Sequence, residues 1–91
     1  MNIKRLEKKI LKMLDLGQNQ YVNVERYQAH YIGGDMVVYD MDIAAGFEAK
    51  DSKIIQHRIK VEITSLKYVH IIAAIALQDA FNEMPTVTVI D

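Results

Sequence analysis

Apolar residues recur at helical spacing over the first sixteen positions and at strand spacing through the middle of the chain. Ile3, Leu6, Ile10, Met13 and Leu14 share one side of a helix predicted over residues 2–16, with Lys4, Lys8, Lys9 and Lys12 on the other. Asn2 suits the N-cap, and Gly17 suits the left-handed residue that closes many helices.

From Gln20 the period changes to two. Residues 21–25 and 27–31 are rich in strand formers, but Val22 and Val24 occupy even positions while Tyr27, Ala29 and Tyr31 occupy odd ones. One regular strand cannot turn both sets inward, so a bulge is predicted near Glu25–Arg26. Ile32-Gly33-Gly34-Asp35 reads as a tight hairpin. A second strand, 36–45, alternates Val37, Tyr39, Met41 and Ile43 against Val38, Asp40 and Asp42. Residues 46–53 read as a polar connection. The third strand, 54–64, turns Ile55, His57, Ile59, Val61 and Ile63 inward and Gln56, Arg58, Lys60 and Glu62 outward.

Thr64 or Ser65 is placed to cap a second helix over residues 66–84. Leu66, Val69, Ala73, Ala76, Leu77, Ala80 and Met84 would make an adequate core stripe, yet Ile71, Ile72, Ala74 and Ile75 fill most of the remaining circumference. A helix apolar nearly all round is covered on more than one side. Pro85 ends it, and 86–90 reads as a short final strand. The expected architecture is one α+β domain over residues 1–91. Its antiparallel three-stranded meander is flanked by an N-terminal amphipathic helix and an apolar C-terminal helix, in the order α-β-β-β-α-β.

Composition agrees with a globular chain, at 51% hydrophobic and 25% charged residues. Without cysteine, neither disulfides nor thiolate metal sites can form. The charged start does not resemble a signal peptide, and the longest uncharged apolar stretch falls well short of the about 20 residues that a membrane span needs. No membrane association and a cytoplasmic location are therefore expected. Charge is unevenly spread: residues 1–17 carry five basic and two acidic side chains, the rest six basic and ten acidic. Lys4, Arg5, Lys8, Lys9 and Lys12 could meet nucleic-acid phosphate or simply solvate the helix.

Candidate chemistry is thin. Asp40 and Asp42 lie two apart on one strand face, as a Mg²⁺ site or a metal-dependent nuclease would use them. The simpler reading pairs them across strands with Arg58 and Lys60. His30, His57 and His70 have no metal-ligand spacing, and Ser52 and Ser65 have no evident base beside them. Gly33-Gly34 does not open a helix, so it is no phosphate cradle. The five tyrosines, three of them on the first strand, suit packing or an interface rim better than base stacking. No metal and no cofactor is expected.

The closing helix, with Ser65, Lys67, Val69, His70, Ala73, Ala74 and Leu77, resembles the second helix of the double-stranded RNA-binding domain, in which a serine and a lysine cluster precede an Ala-Ala pair. The resemblance covers about sixty residues and implies the order α-β-β-β-α. It also implies phosphate contacts, here reduced to Lys67 and His70.

The resulting expectation is a non-enzymatic interaction protein, of the kind that small phage or mobile-element inhibitors and adaptors exemplify. It would bind a protein partner and form a homodimer through Val69, Ile71, Ile72, Ile75 and Phe81. Alternative expectations are nucleic-acid binding through the basic first helix and a metal-dependent enzyme built on Asp40 and Asp42.

Overall fold

A computed structural model describes residues 1–14 and 19–83. The elements run α1 (Ile3–Leu14), β1 (Gln20–Gly33), β2 (Met36–Ala49), β3 (Ser52–Ile63) and α2 (Val69–Glu83). This is the predicted α+β arrangement, with an antiparallel sheet in the order β1-β2-β3. The predicted closure at Gly17, Pro85 and the final strand 86–90 lie outside the described residues.

Asn2 caps α1 as its position suggests, its Oδ1 accepting the Arg5 N–H at 3.1 Å. Leu6, Ile10 and Leu14 are buried along one stripe. The second helix starts at Val69 rather than Leu66. Ser65 Oγ accepts the Lys67 N–H at 3.3 Å, and Val69 N–H reaches the Leu66 carbonyl at 3.4 Å. The chain therefore spends residues 66–68 on a tight turn before the helix proper begins.

Both helices lie on one face of the sheet, α1 against β1, α2 against β3, and each against the other. Between them sits a core of Leu6, Ile10, Leu14, Val22, Met41, Ile43, Ala45, Val61, Val69, Ala73, Ala74 and Leu77. Ile10, Met41, Ile43 and Leu77 are its largest fully buried side chains. Each stabilises the fold by about 1.5–3 kcal/mol relative to leaving it in water. Thus α1 supplies part of the second cover that α2 was expected to need.

Two irregularities set which residues face this core. The register of β1 on β2 slips between Val24 and Arg26, so Glu25 is the extra residue. That bulge brings Val22 and Val24 before it, and Tyr27 after it, onto the same face, as the phase change predicts. Two further slips were not anticipated. One lies between Tyr31 and Gly33, beside the hairpin turn. In the other, Ala45 pairs with His57 but Gly46 pairs with Ile55, leaving Gln56 as the extra residue. Beyond it, Ile54 shares the helix-covered face with Phe47, and Ile55 turns to the other side, opposite its expected orientation.

The polar connection expected at 46–53 is likewise mostly strand. Ala49 pairs with Ser52 around a two-residue turn in which Lys50 takes a left-handed φ of 54°. Gly46 is what disguises this segment. A Cβ there would drive into the Ile54 carbonyl oxygen and stand 2.9 Å from the carbonyl carbon. The β3 backbone approaches closely because the bulge bends it inward, and only glycine admits that approach.

Gly46→Ala should therefore cost about 3 kcal/mol in a denaturant titration, since the clash is with backbone that cannot rotate away. Gly34→Asn is the contrast. Gly34 has a φ of 58° with open space around it, and Asn tolerates that conformation, so the change should stay within about 0.5 kcal/mol.

Candidate interaction surfaces

The sheet face away from the helices carries an ion network centred on Arg26. The bulge at Glu25 sets Arg26 directly opposite Asp42. Its Nε donates to Asp42 Oδ2 at 2.8 Å, while Nη2 stands 2.9 Å from Asp40 Oδ1. Asp40 Oδ1 is buried, and the Arg26 guanidinium is the charged group beside it. Nη1 donates to Gln28 Oε1 at 2.9 Å, and His30 Nε2 lies 3.8 Å from Asp40.

This corrects the pairing read from the sequence. Lys60 does face Asp42, but Asp40 faces Glu62, and Arg58 Nε donates to Glu25 at 3.0 Å instead. The partner of both aspartates is Arg26, whose role only the bulge reveals. With Asp40 and Asp42 turned to a guanidinium, their geometry is that of a structural ion pair. Among the described residues no group of three or more His, Asp or Glu is placed to hold a metal ion.

The Arg26 hydrogen bond holds Asp42 below the ordinary carboxylate range, helped by the Arg26 and Lys60 charges and opposed by desolvation. Asp42 in turn, more than Asp40, raises the Arg26 guanidinium above its already high value.

A second surface is basic. Lys4, Arg5, Lys8, Lys9 and Lys12 are all exposed on the side of α1 opposite Leu6, Ile10 and Leu14. The only acid within α1, Glu7, turns away from them, its Oε2 accepting the Val24 N–H at 2.7 Å. Glu7 thereby satisfies a backbone donor of edge strand β1, a role that charge counting along the sequence does not reveal. Arg5 and Lys9 also line a cleft of about 470 Å³ with Leu66, Lys67, Val69 and His70. Lys67 and His70 at the start of α2 thus share this cleft with two of the cations of α1.

The third surface is apolar. The residues expected at an interface divide sharply: Val69 is in the core, Ile71 is half-buried, and Phe81 packs edge-on against His57 with ring centroids 4.4 Å apart. Ile72 and Ile75 are exposed, at 41% and 56%, together with Tyr68 at 54%. Tyr68 and Ile72 line a shallow depression of about 450 Å³ with Val38, Ile63 and Thr64. Another exposed apolar group, Tyr31, Ile32 and Met36, flanks the first hairpin turn. Of the remaining tyrosines, Tyr27 stacks on Tyr39 at 6.3 Å, and Tyr21 receives the Lys53 ammonium at 5.2 Å.

The chain matches no protein-family model, and neither curated proteins nor solved structures show a significant similarity to it. No helix among the described residues is long and apolar enough to cross a membrane.

Because the Asp42 pKa is depressed in the folded state, its contribution is present above the unfolded value of about 4 and is lost as pH falls through the folded value. Asp42→Asn should therefore destabilise the protein at about pH 7 and converge with the parent chain at about pH 2. Denaturation midpoints at the two pH values check this, and an undiminished gap in acid would contradict it.

Proposed function

We propose that this chain is a non-enzymatic interaction protein of the inhibitor or adaptor type, which assembles as a homodimer and binds a macromolecular partner. The observation that carries the reading is the exposure of Ile72 and Ile75 on a helix whose opposite side already fills the core, with Tyr68 exposed in the turn that leads into it. Large aliphatic side chains grouped on a surface lose their unfavourable hydration when a partner covers them. The absence of a metal-binding group among the described residues and the engagement of Asp40 and Asp42 by Arg26 give the metal-enzyme alternative no support.

Light scattering at micromolar concentration tests the assembly. The expected mass is twice the 10.4 kDa of the chain, and Ile75→Asp should return it to that of a single chain. A wild-type protein that stays monomeric sinks the reading.

Nucleic-acid binding is the second reading, favoured by the exposed cations of α1, two of which, Arg5 and Lys9, share a cleft with Lys67 and His70. Phosphate contacts release counterions, so affinity should fall steeply with salt. With about five contacts, the loss between 50 and 200 mM salt is on the order of 10²–10³-fold. Titration of a labelled duplex checks this, with Lys8→Glu/Lys9→Glu as the weakened variant. Absent binding, or binding indifferent to salt, removes it.

A further inference from the structure

The exposed stripe of α2 is self-complementary, and from this we infer that the partner covering it is a second copy of the same helix running antiparallel. This rests on the homodimer reading above and specifies its contact. Tyr68, Ile72, Ile75 and Asp79 follow one another at spacings of four, three and four, so they share one side of the helix and its entry turn. All four are exposed. A two-fold axis between Ile72 and Ile75 sets each Ile72 against the partner's Ile75, and each Tyr68 against the partner's Asp79.

The charges decide in favour of a second copy and of this direction. Asp79 and Glu83 stand towards the C-terminal end of α2, which has no basic residue in its last turn. Carboxylates there oppose the helix dipole. Lys67 stands at the other end, 5.3 Å from the Tyr68 ring centroid. Neither Asp79, Glu83 nor Lys67 has an ion-pair partner among the described residues. In the antiparallel pair, the end of α2 that follows Lys67 lies against the partner's end that carries Asp79 and Glu83. Each end of α2 then meets the opposite charge and the opposite dipole end. A parallel pair would instead place carboxylate against carboxylate.

Ala73 and Ala74 face inward with Val69 and Leu77, while Ile72 and Ile75 face outward, so large aliphatic side chains stand on both sides of the helix. Packing Ile72 and Ile75 into the grooves of an identical helix would bring the two axes to the usual 8–10 Å, about the separation of packed helices.

Because the chain has no cysteine, disulfide trapping reads the register directly. Ile72→Cys and Ile75→Cys variants are mixed as full-length chains and oxidised. The expected product is the mixed disulfide, in several-fold excess over either homodisulfide. In parallel, Lys67→Glu should weaken the dimer about tenfold, and adding Asp79→Lys with Glu83→Lys should restore it. If wild-type chains dimerise but the disulfides form without preference, or charge reversal changes nothing, the antiparallel register is overturned while the dimer stands. If wild-type chains are monomeric, both fall.

Discussion

A three-stranded sheet with one dry face needs two helices to seal it, and the rest of this structure follows from how they share that task. The central strand β2 places Met41 and Ile43 where neither edge strand can shield them, and both are fully buried. Helix α1 lies over β1 and α2 over β3, with the helices touching above the centre. Ile10 from one helix and Leu77 from the other are buried in the same core. Removing either helix would open the same core to water, so the two are energetically coupled through β2.

That division explains the composition of α2, which puzzles when read as a conventional amphipathic helix. Its inward positions include Ala73 and Ala74, small enough for α1 and the sheet to approach closely, with Leu77 as the one large side chain fully buried there. Ile72 and Ile75 go outside, on the side where an ordinary surface helix is polar. The two helices therefore leave different surfaces, α1 presenting cations and α2 presenting isoleucine. The far side of the sheet holds the Arg26 network and is mixed in charge.

Much of this was legible in the residues because local and tertiary preferences agree. Leu6, Ile10 and Leu14 of the α1 stripe and the Asn2 cap needed only helical spacing, although Met13 is exposed, and the change of phase after Val24 announced the bulge at Glu25. The bulge at Gln56 left no such trace: isoleucines at both 54 and 55 hide a change of phase, since either parity offers an apolar residue. Gly46 and the polar run after it imitate a loop, although the glycine is there for backbone clearance. The partners of Asp40 and Asp42 were misread for a related reason. Cross-strand neighbours depend on register, and the bulge moved Arg26 into the position that Arg58 seemed to hold. The exposed part of α2 was only half readable, since sequence alone gives the surplus of apolar surface but not which side the other helix takes.

The bulges at Glu25 and Gln56, away from the hairpin turn, also make the chain intolerant of changes in length at particular places. Each holds one surplus residue, Glu25 in β1 and Gln56 in β3. Deleting either would restore a regular ladder and rotate the shorter flank of the strand, exchanging its buried side chains for its exposed ones. Neither side chain enters the core, and Glu25 is tied only to the exposed Arg58. Chain length between them is the stricter constraint. Along a lineage, this protein could accept wide substitution while keeping the count of residues from Val22 to His57 under tight restraint.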